Sequence, residues 1–86
     1  MNLKKKHQKI LDQVRRHPKP SNLKWKDFEA LIIALGFELD QSAGGSLKIF
    51  QKGELEWFYH RPHPRPDVDK GAIADLDKYL KEHGLI

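Results

Sequence analysis

The sequence predicts an α+β domain, in which a basic N-terminal helix precedes the element order α-β-β-β-α. Apolar residues recur at helical spacing near both ends of the chain, whereas the middle alternates apolar and polar side chains in short runs separated by glycines. With 86 residues the chain has room for one hydrophobic core. We therefore expect a three-stranded antiparallel sheet that is covered on one face by two helices.

Composition excludes several classes of protein. The chain is 38% hydrophobic and 33% charged and has no cysteine, so it can fold but cannot form disulfides, thiolate zinc sites or iron–sulfur sites. The longest apolar run, residues 30–35, is far shorter than the ~20 residues that cross a bilayer. We therefore predict a cytoplasmic protein without membrane contact. A net charge of +4 suits a polyanionic partner.

Residues 1–20 are predicted to form a basic helix and a proline-containing hinge. Lysines and arginines surround a narrow apolar stripe, made of Leu3, Ile10, Leu11 and Val14. Pro18 and Pro20 end this helix, because a proline removes a backbone donor and restricts the residue before it. Residues 21–86 are predicted to form the main domain.

The strongest helix signal begins at Trp25. Five large side chains recur there at the spacing of one helical face: Trp25, Phe28, Leu31, Ile32 and Leu35. Gly36 follows, and glycine is the residue that most readily adopts the left-handed conformation at the end of a helix. The sequence therefore predicts a helix that ends at Gly36.

Three strands are predicted next, in an antiparallel meander. Phe37 and Leu39 alternate with acidic residues, and a glycine-containing loop leads to a second run at 46–51. After a tight turn at Lys52-Gly53, a third strand alternates apolar and acidic positions, with Leu55, Trp57 and Tyr59 on one face. We interpret Trp57 and Tyr59 as core residues; base stacking by these residues or by Phe58 is the alternative.

The last helix is predicted beyond a proline-rich crossover. Three prolines between His60 and Pro66 lack the N–H that a sheet ladder needs, so this segment crosses the surface. Asp67 or Asp69 can cap the helix that follows. Its apolar stripe and its end are marked by Ile73, Leu76, Leu80 and Gly84.

Two segments carry the residues suited to chemistry, namely residues 44–48 and the basic crossover at 60–65. The chain has no Walker loop and no zincin motif. Imidazole in general titrates near neutrality and guanidinium can clamp a phosphate, so acid–base chemistry on a phosphodiester is one interpretation of His60 and His63 with the arginines beside them. A solvated crossover without chemistry is the other. Two histidines without a carboxylate beside them supply only part of a coordination shell, so we predict neither a metal nor a cofactor.

Further candidate phosphate contacts lie in the glycine-rich loop and at the start of the last helix. The Gly45-Ser46 pair could offer backbone N–H groups and a hydroxyl to a phosphate, although a flexible hairpin explains the same residues. Lys70 and Gly71 would add a cation to the positive end of the helix dipole, or the lysine could simply be solvated.

From about Leu23 to the C-terminus, the sequence resembles the HicA (YcfA-like) toxin family. The resemblance depends on the element order and on three short motifs, Gly45-Ser46, Pro62-His63 and Lys70-Gly71. It implies a double-stranded-RNA-binding-domain-like fold, translation-independent mRNA interferase activity, and neutralisation by a HicB antitoxin in a type II toxin–antitoxin pair. One departure is clear: the family's catalytic histidine follows the Gly-Ser pair directly, and Leu47 stands at that position here.

The resemblance and the basic residues together lead to a site prediction. RNA would be bound through Ser46, Lys48, Arg61, Arg65 and Lys70. His63, helped by His60, would deprotonate a ribose 2′-OH for in-line attack on the adjacent phosphate, as a metal-independent endoribonuclease. Because a leucine cannot transfer protons, Leu47 leaves two alternatives open: a non-catalytic RNA-binding module, or a protein-interaction domain for an acidic partner.

Overall fold

The computed structural model describes residues 3–40, 45, 47–61 and 65–86. Its elements are α1 (Lys5–Arg15), α2 (Trp25–Ala34), β1 (Glu38–Asp40), β2 (Leu47–Lys52), β3 (Leu55–His60) and α3 (Lys70–Glu82). This order confirms the predicted α+β, double-stranded-RNA-binding-domain-like fold with an additional N-terminal helix. Within the described ranges, no helix is long and apolar enough to cross a membrane.

The three strands form one antiparallel sheet in the order β1-β2-β3. Phe50 of β2 lies opposite Trp57 of β3, and Ile49 lies opposite Phe58. Because successive residues of a strand point to opposite faces, these pairs belong to different faces of the sheet. Phe50 is fully buried and Phe58 is 57% exposed, so one face is covered by helices and the other is open.

The end of α2 is fixed by Gly36, as the sequence predicts. This glycine has a φ of +101°, and its amide donates to the Ile33 carbonyl at 2.9 Å. Lys52 Nζ donates to the Leu35 carbonyl at 2.6 Å and lies 3.0 Å from the place that a Cβ at position 36 would occupy. Both the backbone conformation and the lysine contact therefore favour glycine at this position.

Of the two predicted caps for α3, Asp69 is the one used. Its Oδ1 accepts a hydrogen bond from the Ala72 amide at 2.8 Å. Asp67 instead pairs with Lys24 at 2.6 Å, which ties the segment before α3 to the start of α2. The predicted stripe of α3 is buried in the core, and Gly84 follows the helix with a φ of +67°.

The N-terminal helix packs into the same core. Ile10, Leu11 and Val14 are buried, and α1 contacts both α2 and α3. Beyond the helix, Lys19 Nζ donates to the Val14 carbonyl at 2.6 Å and to Asp77 Oδ2 of α3 at 2.9 Å. Apolar burial and a partly buried ion pair therefore hold α1 and the segment after it against α3.

Candidate nucleic-acid interface

The start of β2 and the end of β3 lie side by side. Leu47 pairs with His60, and Lys48 pairs with Tyr59. The Gly-Ser motif precedes β2 in the sequence, and the basic crossover follows β3. The two candidate segments therefore meet at one end of the sheet, although Ser46 and His63 themselves lie outside the described residues.

Lys48 and His60 belong to opposite faces at this end. Lys48 shares its face with Tyr59, which is buried beneath the helices. His60 shares its face with Leu47, on the open side of the sheet. Lys48, a predicted RNA-binding residue, and His60, a predicted catalytic residue, therefore lie on opposite faces of the sheet.

Both described ends of the crossover contact the start of α2. The Arg61 guanidinium carbon lies 3.9 Å from the centroid of the Trp25 ring, which is a cation–π contact. Further along, the Trp25 amide donates to the Pro66 carbonyl at 2.8 Å, and the Val68 amide donates to the Leu23 carbonyl at 2.8 Å. These contacts fix Arg61 and residues 66–68 relative to α2.

A carboxyl group of α2 lies near Lys48 and Arg61. One oxygen of Glu29, Oε2, is buried and has no hydrogen-bond partner within the described ranges. Burial raises the pKa of Glu29, and the positive charges of Lys48 and Arg61 offset part of that rise. Both cations thus act on the carboxyl group, yet no ion pair among the described residues includes it.

The hydroxyl of Tyr59 is a second buried polar group at this place. It has no hydrogen-bond partner in the described part of the chain. Its ring packs edge-on against Phe28 at 5.1 Å and stacks with Phe50 at 6.2 Å, as expected of a core residue. Burial, and secondarily the charge of Glu29, raise the pKa of Tyr59, so the hydroxyl stays protonated near neutral pH and can donate a hydrogen bond.

Sequence reasoning missed Glu29, although a signal was present. Glu29 follows Trp25 by four residues, so it shares a helical side with the first residue of the apolar stripe. A carboxylate beside such an apolar stripe lies at the edge of the surface that the helix packs against the rest of the fold. Its contact with a cation from another element depends on how the helix docks on the sheet, which this spacing does not specify.

Arg65 and Lys70 lie in a groove at the N-terminus of α3. Asp67 and Asp69 line the same groove, whereas Lys48 and Arg61 do not. The carboxylate of Asp69 already caps the helix, and the two carboxylates offset the two cations. The structure therefore divides the described members of the predicted RNA-binding set into two separate pairs.

The three aromatic residues of β3 that are candidates for base stacking do not all lie on the same face of the sheet. Trp57 lies on the helix-covered face, with its ring 5.2 Å from that of Tyr79 in α3. Tyr59 is 8% exposed. Phe58 is exposed on the open face beside Ile49. Trp57 and Tyr59 therefore serve the core, and Phe58 presents its ring to the surface.

One comparison with known proteins gave a match. A family model described as HicA toxin of bacterial toxin-antitoxin matches residues 25–85, more than two thirds of the chain. The matched range begins at the first residue of α2 and leaves α1 outside. No curated protein and no solved structure matches the chain significantly.

Proposed function

Because the chain belongs to the HicA toxin family of bacterial toxin–antitoxin systems, we propose that it is an mRNA interferase that binds and cleaves mRNA in the cytoplasm. Its antitoxin would be of the HicB type. The observation that carries the proposal is the pair Lys48 and Arg61, which act on the same carboxyl group at the sheet end where the two candidate segments meet. Two cations from different elements form a suitable site for one backbone phosphate.

The register of the sheet supports a role for His60 in proton transfer. His60 is the cross-strand neighbour of Leu47, the position at which the family resemblance expects a histidine. The Cβ atoms of such neighbours are about 4.5–5.5 Å apart. The imidazole of His60 on β3 can therefore reach nearly the same point as a histidine at position 47 on β2 would. The second candidate histidine, His63, follows His60 by three residues in the sequence.

The proposed reaction needs no metal and no water. A ribose 2′-oxygen attacks the adjacent phosphorus as it loses its proton, and the 5′-oxygen leaves as it gains one. The products are a 2′,3′-cyclic phosphate and a 5′-hydroxyl. Lys48 and Arg61 stabilise the charge that develops on the phosphate oxygens, and His60 and His63 supply proton transfer.

The test is RNA cleavage by purified protein in EDTA, with cut sites mapped by primer extension on a defined mRNA. We expect the wild type to cut, and His63→Ala to lower the rate by about 10²- to 10⁴-fold with little change in RNA affinity. His60→Ala tests the cross-strand position in the same way. His7→Ala is the matched control, since His7 lies on α1 outside the family match. Unchanged cleavage by His63→Ala and by His60→Ala would remove the histidines from the mechanism.

A second candidate function is RNA binding without cleavage, which Leu47 favours because its side chain cannot transfer a proton. This function predicts salt-dependent RNA binding and no new RNA ends in any condition. A protein-interaction domain would instead show no RNA affinity at moderate salt. A small acidic HicB-like reading frame beside this one, with a product that suppresses cleavage, would support the toxin pair.

A further inference from the structure

Four polar side chains from different parts of the fold act on one another on the helix-covered side of the sheet end. They are Glu29 of α2, Lys48 of β2, Tyr59 of β3 and Arg61, which follows β3. Glu29 and Tyr59 each bury an oxygen that has no hydrogen-bond partner within the described ranges. Buried polar atoms of this kind are rare in native proteins, and they indicate a place where a ligand or an ordered water completes the hydrogen bonding.

The charges of this cluster are close but not paired. Lys48 and Arg61 both act on the Glu29 carboxyl group, yet no ion pair among the described residues includes that group. With Glu29 ionised, one carboxylate and two cations leave one positive charge, which matches the single negative charge of a phosphodiester. The cation–π contact with Trp25 also holds the Arg61 guanidinium in place before a ligand binds.

The environment of Glu29 suits a group that accepts a proton. Burial raises its pKa, and the two cations limit the rise. A carboxylate with a raised pKa is a stronger base than an exposed one and approaches the working pH at which proton transfer is efficient. Burial and the Glu29 charge also raise the pKa of Tyr59, so its hydroxyl keeps its proton and remains a hydrogen-bond donor.

We propose that Glu29 is the general base of RNA cleavage and that Lys48 and Arg61 hold the scissile phosphate beside it. This inference rests on the proposed function and names the group that recognises the ribose. The substrate is a nucleic acid with a free 2′-OH, because that hydroxyl supplies the proton that Glu29 takes.

The reaction step balances without a further reactant. The Glu29 carboxylate takes the 2′-OH proton, the 2′-oxygen forms a bond to phosphorus, and the bond from phosphorus to the 5′-oxygen breaks. The 5′-oxygen then takes a proton from a protonated crossover histidine, His60 or His63. This assignment gives the histidines the acid role rather than the base role that the sequence suggests.

The two faces of the sheet fit this division of roles. In-line displacement needs the base and the acid on opposite sides of the phosphorus. Glu29 approaches from the helix-covered face, and His60 lies on the open face of the same sheet end. In the mechanism that we propose, an RNA strand crosses this end of the sheet with its phosphate between the two groups.

The decisive experiment compares Glu29→Gln with the wild type on an RNA oligonucleotide that the wild type cuts. Glutamine keeps the size and the hydrogen-bonding capacity of the side chain but cannot accept the proton. We expect the cleavage rate to fall by about 10²- to 10⁴-fold. Affinity is measured on the same oligonucleotide with a 2′-deoxyribose at the scissile nucleotide, which cannot be cut, and should not weaken. The matched control is Glu54→Gln in the exposed β2–β3 turn, for which we expect the wild-type rate.

A further variant separates a base from a structural carboxylate. Glu29→Asp keeps a proton acceptor on a shorter side chain, so we expect partial activity and an acid limb in the pH–rate profile. The titratable and charged groups that act on Glu29 are Lys48, Tyr59 and Arg61.

The outcomes distinguish this inference from the proposed function. If the wild type cuts and Glu29→Gln cuts within about threefold of it, Glu29 is not the base and the nuclease function stands. If the wild type cuts no RNA, the nuclease function falls and the base assignment falls with it. If Glu29→Gln does not fold, as judged by circular dichroism, the acid limb is measured in His60→Ala and His63→Ala. If the acid limb of the pH–rate profile persists in both histidine variants, the result supports Glu29 as the base. If the limb is lost in one of them, the histidine replaced in that variant is the base.

Discussion

Asp77 of α3 is a buried carboxylate held by two lysines. Its Oδ2 accepts hydrogen bonds from Lys19 at 2.9 Å and from Lys81 at 3.2 Å. Burial alone would raise the pKa of Asp77, but these two hydrogen bonds and the lysine charges outweigh it and lower that pKa below its ordinary value of 3.8. The group is therefore ionised at neutral pH, and its stabilising effect is lost as the pH falls through the lowered folded-state pKa.

Removal of Lys19 tests this buried pair. We expect Lys19→Met to lower the free energy of unfolding at pH 7 by about 1–3 kcal/mol, because it removes the less exposed of the two lysines that hold a buried carboxylate. The difference from the wild type should shrink as the pH falls through the lowered pKa of Asp77, because the protonated group no longer needs the charge of Lys19. Urea denaturation at several pH values measures both effects. Lys78→Met is the control, since Lys78 is 77% exposed and its pair with Glu82 is long at 3.7 Å; an equal loss in both variants would contradict the prediction.

At the scale of elements, α1 differs from the other two helices. It lies outside the range of the family match, and the sequence shows it as a narrow apolar stripe in a basic segment. In the structure, that stripe contributes Ile10, Leu11 and Val14 to the same core as α2 and α3. The division of the chain at residue 20 stays a prediction, and the packing of α1 gives it a direct test.

Truncation of one buried residue of α1 supplies that test. Ile10 is 4% exposed, so we expect Ile10→Ala to lower the free energy of unfolding by about 2–5 kcal/mol in a single cooperative transition. Lys9→Ala on the exposed side of the same helix should stay within about 0.5 kcal/mol of the wild type. Thermal or urea unfolding measures both variants. A small effect of Ile10→Ala would mean that α1 adds little to the core and that residues 21–86 are stable alone.

Across the whole molecule, positive charge is spread but is not equally available to RNA. Arg65 and Lys70 share their groove with two carboxylates. The open face of the sheet carries Glu38 and Glu56 on either side of Gln51. Lys48 and Arg61 flank one carboxylate and keep an excess of positive charge. We therefore expect the strongest phosphate contacts at the sheet end rather than on the open face.

The salt dependence of binding tests this distribution. We expect Lys48→Gln to make the log–log slope of affinity against salt shallower by about 0.7–1, which is the contribution of one phosphate contact. Lys70→Gln should change the slope less, because carboxylates already offset its groove. Lys5→Gln, on the exposed side of α1, is the control and should leave the slope unchanged. Fluorescence anisotropy with the 2′-deoxy-substituted oligonucleotide measures all three, and equal slopes for Lys48→Gln and the control would rule out Lys48 as a contact.

The elements of this fold were predictable because their signals are local. The apolar stripe of α2, the glycine at its end, the alternation along β3 and the aspartate before α3 each lie within a few residues of the structure they specify. Of the candidate site, the sequence identified Lys48, His60 and Arg61, because cations and imidazoles near glycine and proline have recognisable chemistry. It missed Glu29, whose neighbours come from other parts of the chain.

Local features of the sequence specify the element order, the helix ends and the family, because these depend on periodicity, on capping and on short motifs along the chain. Which of those residues lie close together depends on contacts between distant parts of the chain. The pairing of Lys48 with Tyr59 and of Leu47 with His60 follows from strand register, and the approach of Glu29 follows from the docking of α2 on the sheet. Register and docking are set by packing between distant segments, and that packing brings a buried carboxyl group and two cations to the same end of the sheet.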